Sequence, residues 1–157
     1  IWNLPVIFVL ENNRYAAASP IEEMSRLPDL YPRGQGYGIA SWGVDGNEVL
    51  AVFEKAREAV GLCRSGKGPV LIEAKTYRHM GHHVNDPGTY MNQRELEYYK
   101  SEKDPVELGR RRLIEAAGEA EASRIEAEVV QEMEQAVAFA VASPEPSLES
   151  FLAETES

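Results

Sequence analysis

Residues Val6 to Tyr15 read VIFVLENNRY. Five consecutive apolar residues, Val6 to Leu10, have the character of a strand buried on both faces, and they stop at one acid and two amides. In open parallel sheets the carboxyl ends of the strands face the crevice that holds ligands, which puts Glu11, Asn12, Asn13 and Tyr15 at that lip. A carboxamide oxygen and a main-chain carbonyl two residues apart on a tight turn can bind a hard cation such as Mg2+. The same residues also suit a plain turn, because Asn tolerates positive φ and hydrogen-bonds its own backbone. Spacing alone favours the turn.

Working outward, Ser19-Pro20-Ile21-Glu22-Glu23 reads as an N-cap, a first-turn proline and acids behind it, and predicts a short helix. Pro28, Pro32, Gly34, Gly36 and Gly38 then break regular structure, so Leu27 to Gly38 reads as a loop. Ile39 to Val44 is the next strand, with Asp45-Gly46-Asn47 turning into a helix. In that helix Val49, Leu50, Val52, Phe53, Ala56, Ala59, Val60 and Cys63 recur at steps of three and four, which predicts a helix lying along a sheet face. Arg64 to Pro69 ends it, and Val70 to Ala74 makes a second mostly apolar strand. Strand, helix, strand is a crossover unit and implies a parallel sheet. Gly66-Lys67-Gly68 lacks the GxxxxGK[ST] spacing and precedes a strand, so it is not a phosphate loop.

The second stretch that carries chemistry is Tyr77 to Gly88, YRHMGHHVNDPG. It holds all three histidines, His79, His82 and His83, beside Arg78 and Asp86, directly after a strand end. Three readings stand side by side: a transition-metal site, anion recognition by Arg78 and an imidazole, and a solvated loop. Against zinc, no Cys or His elsewhere joins the cluster at a plausible spacing, and the Asn-Asn stretch favours a hard ion.

LPVIFVLENNRYAAASP resembles the closing half of the thiamine diphosphate motif, in which a strand ending in Asn-Asn follows a Gly-Asp-Gly and one helix. YRHMGHHVNDPG is similar to the loop of the alpha subunits of the decarboxylating component of 2-oxo acid and acetoin dehydrogenase complexes, and RSGKGPVLIEAKTYR between them resembles the same family. The resemblance implies a partial thiamine diphosphate-binding α/β fold, a parallel sheet flanked by helices, with thiamine diphosphate and Mg2+ as cofactors. It assigns Asn13 to the metal through its side-chain oxygen and Tyr15 through its main-chain carbonyl, Arg78 to cofactor binding as the residue that orders the loop, and His82 to the diphosphate and the reaction centre. His83 stands where mitochondrial relatives carry a phosphorylatable serine, so phosphate control is not expected there. The implied partners are a beta subunit, which supplies the acid that activates the cofactor, and a lipoyl-bearing acyltransferase, in an alpha2-beta2 heterotetramer. The implied activity is decarboxylation of pyruvate or a branched-chain 2-oxo acid, or cleavage of acetoin, with transfer of the acyl group to a lipoyl carrier. Two rival readings are a non-catalytic acidic α/β interaction module and another thiamine diphosphate enzyme such as a transketolase relative, which would share the Asn-ended strand but lack the Tyr-Arg…His loop.

Composition bounds the rest. The chain has 157 residues, enough for one domain with a real core, and is 43% hydrophobic and 27% charged. It opens on Ile1, already close to a strand, and the resemblance covers the second half of the alpha subunit, so a longer protein is expected. A formal charge of -10 argues against nucleic acid and anionic membrane as partners. No run approaches the roughly 20 apolar residues of a membrane span. A single cysteine, Cys63, excludes an intrachain disulfide and suits a reducing, cytoplasmic setting.

The last third is helical. Asn92 to Lys103 is one helix, Asp104-Pro105 caps a second carrying Val106, Leu108, Leu113 and Ile114, and Ala122 to Ala142 is a third, ended by Pro144 and Pro146. Its stripe of Ile125, Val129, Met133, Ala136, Val137 and Ala140 packs on its own sheet or on a neighbouring subunit. The expected organisation is residues 1–90 as the second part of a thiamine diphosphate-binding α/β domain, and 91–157 as a helical region packing on it.

Overall fold

The structure is a computed structural model and describes residues 1–155. Its contacts define two compact units, Ile1–Arg111 and a second that begins at Arg112. The expected helical region 91–157 ends in residues 156–157, which lie outside the described residues.

The first unit opens with strand β1 (Ile7–Asn12). A small antiparallel ribbon follows, β2 (Tyr15–Ala16) with β3 (Ser19–Pro20), and leads into the one-turn helix α1 (Ile21–Met24). Pro20, not Ser19, stands at the N-cap, because Ser19 and Pro20 are taken up by the ribbon. Within the expected loop, Tyr31–Tyr37 winds into a 3-10 helix, which ends at Gly38 with φ 70, a value open to glycine without a Cβ penalty. Then come β4 (Ala40–Asp45), helix α2 (Val49–Arg64) and β5 (Val70–Lys75).

The sheet order is β1-β5-β4, and both pairings are parallel. This is the α/β architecture that the crossover pattern implies, with the later strand inserted between the two earlier ones. Val44, Ala59, Cys63, Val70 and Ile72 form the core between α2 and the sheet, flanked by Ile7, Trp42, Val52 and Leu62. Small Ala59 lets α2 sit close to the sheet, since a residue without side-chain atoms beyond Cβ leaves room for the backbone to approach.

β1 departs from the expected burial. It is an edge strand, with Phe8 53% and Val9 67% exposed. The apolar run reads as a doubly covered strand, but α2 contacts the sheet over β5 and β4 chiefly, and nothing among the described residues pairs with the free side of β1. Ile1, Trp2, Leu4, Val6, Phe8 and Pro69 line an open apolar groove beside it.

After β5 the chain runs through a long loop into α3 (Gln93–Ser101), capped by the Asn92 side chain on the Arg94 and Glu95 amides. The Asp104 carboxylate caps α4 (Pro105–Ala117) on the Val106 and Glu107 amides, with Pro105 in the first turn. The division between the two units falls inside α4.

The second unit contains α5 (Glu119–Ala142) and α6 (Leu148–Thr155). α5 starts three residues before the expected Ala122, and Gly118, at φ 89, makes the turn into it. From Val129 onward the stripe is exposed, Met133 and Val137 included. No helix among the described residues is long and apolar enough to cross a membrane.

The contrast between the sheet's centre and its edge is measurable. Ile72→Ala, on β5, should lower the unfolding free energy by about 2–5 kcal/mol. Val9→Ala, on the exposed edge, should change it by less than about 0.5 kcal/mol. Urea unfolding of the two variants checks this, and equal losses would contradict the edge position of β1.

Candidate functional site

Parallel pairing of β1 with β5 brings their carboxyl ends together, with Asn12 opposite Lys75. The main-chain ladder continues past the strands: the Thr76 amide donates to the Asn12 carbonyl at 2.9 Å, and the Arg78 amide to the Asn13 carbonyl at 3.2 Å. The two stretches that carry chemistry therefore leave the sheet side by side.

The two asparagines take different tasks. Asn12 is 5% exposed and donates from Nδ2 to Glu73 Oε1 at 2.7 Å, while its Oδ1 accepts from the Arg14 amide at 3.2 Å. Asn13 is half-buried, and its Oδ1 receives only a long bond of 3.3 Å from the Tyr15 amide. Two overlapping turns result, and they hold Arg14 at φ 74, a left-handed conformation costing a non-glycine residue roughly 1–2 kcal/mol. The turn then feeds the ribbon, where the Ile21 amide donates to the Arg14 carbonyl at 2.8 Å. Opposite Tyr15 stands Pro20, which has no N–H to offer the Tyr15 carbonyl.

Arg78 is the clamp between the two stretches. Its guanidinium lies 5.4 Å from the Tyr15 ring centroid and 5.8 Å from that of Tyr90, and Nη2 donates to the Ala17 carbonyl and the Tyr90 hydroxyl at 2.7 and 2.6 Å. Its Nε is buried with no protein partner among the described residues, a donor suited to an anion. Tyr15 also meets the Tyr77 hydroxyl at 3.2 Å and accepts from the Asn92 amide at 3.1 Å. Burial, followed by this contact, pushes the Tyr77 phenol up.

The His loop is organised by Asp86. Its carboxylate accepts from the His82 amide at 2.7 Å, the Gly88 amide at 2.9 Å and the Tyr90 hydroxyl at 2.6 Å. A Cβ on Gly81 would lie 2.1 Å from the Asp86 carbonyl, so the tight crossing requires glycine there. His82 is held by its main chain, with its imidazole exposed and 6.3 Å from that of His83.

The structure thus joins Asn13, Tyr15 and Arg78 by direct contacts and holds His82 on the same loop, four residues beyond Arg78. The Asn13 carboxamide and the Tyr15 carbonyl are neutral hard oxygens and fit a Mg2+ ion as part of its ligand set. Among the described residues no cluster of three or more His, Cys, Asp or Glu is poised to hold a metal by itself. What sequence reasoning missed is Glu73, a fully buried acid in the middle of β5. The signal was its place in an otherwise apolar parallel strand.

A parallel α/β sheet with a polar lip at its carboxyl edge is the architecture that binds ligands beyond its strand ends. The sequence pattern of the family described as "Dehydrogenase E1 component" matches residues 1–149. This chain belongs to that family. It is 41% identical over 150 residues to the pyruvate dehydrogenase E1 component subunit alpha of Rhizobium meliloti (strain 1021), covering 94% of this chain and 43% of the relative. It is 42% identical over 152 residues to the somatic mitochondrial form of that subunit in Homo sapiens, covering 95% of this chain and 38% of the relative. The chain spans about two fifths of the length of these relatives.

The Tyr90 hydroxyl, then the two loop amides, hold the Asp86 carboxyl down to about 2, from an ordinary 3.8. A carboxyl lowered on folding contributes stability that is present above its ordinary value and lost as the pH falls through the lowered one. Tyr90 is raised by the same bond, so its contribution is present below its ordinary 10 and lost as the pH rises through the raised value. Carbon-13 NMR titration of the Asp86 carboxyl should give a midpoint of about 2, well below that of an unstructured peptide. A midpoint at the peptide value would mean that Tyr90 and the loop amides do not hold this charge.

Proposed function

We propose that this chain is part of a thiamine diphosphate-dependent dehydrogenase alpha subunit that acts on a 2-oxo acid, with pyruvate the first candidate. The observation that carries the reading is the pair of strand tips joined by the Arg78 to Asn13 main-chain bond, which sets an oxygen-rich turn beside a loop bearing Arg and His. The names of the relatives favour pyruvate, while a branched-chain 2-oxo acid and acetoin are the alternatives within the same chemistry.

When bound, thiamine diphosphate supplies the electron sink for cleaving the bond beside a 2-oxo carbonyl. On this reading Asn13 Oδ1 and the Tyr15 carbonyl would hold Mg2+, together with a carboxylate from outside this chain's turn, and the metal would offset the charge of the diphosphate. Arg78 keeps the His loop against the Tyr15 turn and directs its buried Nε toward negative charge. The exposed His82 imidazole would serve the bound cofactor and substrate, where a ring nitrogen can hold or release a proton. Residues 1–90 then form the second part of the cofactor-binding domain, with 91–157 its helical continuation. A beta subunit completes the site in an alpha2-beta2 assembly, and a lipoyl-bearing acyltransferase receives the acyl group. A cytoplasmic setting agrees with one buried, unpaired cysteine.

Reconstitution of the full-length subunit with its beta partner tests the reading. With an artificial electron acceptor, turnover of pyruvate should exceed that of branched-chain 2-oxo acids and acetoin, and failure on all three would reject it. His82→Ala should lower kcat by about 10²–10⁴-fold, while His83→Ala should stay within a few-fold of the unsubstituted enzyme. Equal activities of these two variants would remove His82 from the mechanism. Asn13→Ala removes the metal-facing oxygen itself and should raise the Mg2+ concentration needed for thiamine diphosphate binding beyond the effect of Asn12→Ala, which removes the support of the turn and not a ligand.

A further inference from the structure

Glu73 lies in the middle of β5, in contact with no solvent, and the site as described gives it no chemical task. Burying a carboxylate is costly unless its oxygens are hydrogen-bonded. Here they are: Oε1 accepts from Asn12 Nδ2 at 2.7 Å, and Oε2 accepts from the Leu30 and Tyr31 amides at 2.7 and 2.8 Å. Those two amides open the 3-10 helix, so one side chain ties together the central strand, the tip of β1 and the loop below it.

We propose that Glu73 is a positioning residue that sets the metal-binding turn by dictating which way the Asn12 amide faces; the proposal rests on the assignment of Asn13 and Tyr15 to Mg2+. A carboxylate accepts and does not donate. Asn12 must therefore present its NH2 to Glu73, which sends its Oδ1 the other way, to the Arg14 amide. That bond closes the first of the two overlapping turns and holds Arg14 at φ 74. The bend at Arg14 in turn brings the Asn13 carboxamide up to the Tyr15 main chain, whose amide donates to Asn13 Oδ1 at 3.3 Å. Were the Asn12 amide reversed, its NH2 would confront the Arg14 N–H, two donors face to face, and the turn would open. An apolar residue at position 73 would pack in the strand equally well, but it would leave Asn12 free to reverse and the Leu30 and Tyr31 amides without their partner.

The test uses the full-length subunit assembled with its beta partner and reads two quantities. One is the Mg2+ concentration that half-saturates thiamine diphosphate binding, followed by fluorescence quenching. The other is hydrogen exchange at the 12–16 turn in metal-free protein. In Glu73→Gln, one end of the side chain becomes a donor, which turns the Asn12 oxygen inward and the NH2 toward Arg14. The Mg2+ requirement should rise about 10–100-fold, the range for loss of a group that orients a metal ligand, and exchange at the Arg14 amide should accelerate. The double variant Glu73→Gln/Asn12→Asp restores every bond with the charge moved across the pair. The carboxamide introduced at position 73 accepts from the Leu30 and Tyr31 amides through its oxygen and donates through its NH2 to the carboxylate introduced at position 12. The second oxygen of that carboxylate accepts from the Arg14 amide. The double variant should recover both readouts even where the single variant fails to assemble. An unchanged Mg2+ requirement in Glu73→Gln overturns the proposal, as does a double variant that assembles but keeps a raised requirement, or one that does not assemble. Asn13→Ala separates the two levels. If it raises the Mg2+ requirement while Glu73→Gln does not, the positioning role alone falls; if it does not raise it, the metal assignment falls and takes the positioning role with it.

Discussion

Two main-chain hydrogen bonds beyond the ends of the strands, Thr76 to Asn12 and Arg78 to Asn13, hold the chemistry of this chain together. Parallel strands point their carboxyl ends the same way, so neighbours in the sheet deliver their loops to one edge. β5 lies between β1 and β4, and its exit loop is bound to have the Asn-Asn turn on one side. A shift of β5 by one residue against β1 would turn every side chain of the strand over, taking Glu73 out of the core and separating Arg78 from Tyr15.

Polar groups inside this framework act in pairs of opposite need. Glu73 gathers three N–H donors within the core, and Asp86 gathers three donors on the loop. Each fixes a local fold that apolar packing alone would leave open, because hydrogen bonds carry direction and dispersion contacts do not. Arg78 lies against the Tyr15 and Tyr90 rings, and Tyr90 in turn donates to Asp86. The overall acidic charge of -10 is compatible with this, since the cations at the site are placed singly and are not a basic patch.

Much of the fold was legible in the residues because periodicity is a local signal. The α2 pattern, the apolar run of β5 and the Asn92 and Asp104 caps each state their element within a few positions, and the parallel crossover follows from their order. The edge position of β1 was not legible. Val6 to Leu10 reads as a doubly covered strand, and coverage depends on which elements stand beside it. The 3-10 helix hid among prolines and glycines that signal only interruption. Exposure of the α5 stripe from Val129 onward was likewise beyond the pattern, since period 3.6 says which residues share a face and not what covers it. At the site, the family motif pointed to Asn13, Tyr15, Arg78 and His82, but Glu73 was read only as part of an apolar strand. Its importance comes from Asn12, Leu30 and Tyr31, far away in sequence.

The central claim is that the turn after β1 and the loop after β5 form one ligand site. A crystal structure of the full-length subunit pair grown with thiamine diphosphate, and with Mn2+ in place of Mg2+, tests it most directly through the anomalous signal of the metal. The account predicts Mn2+ in direct contact with Asn13 Oδ1 and the Tyr15 carbonyl, with His82 on the same side of the sheet and facing the diphosphate. Metal bound away from this turn, or a diphosphate at another edge of the sheet, would contradict it.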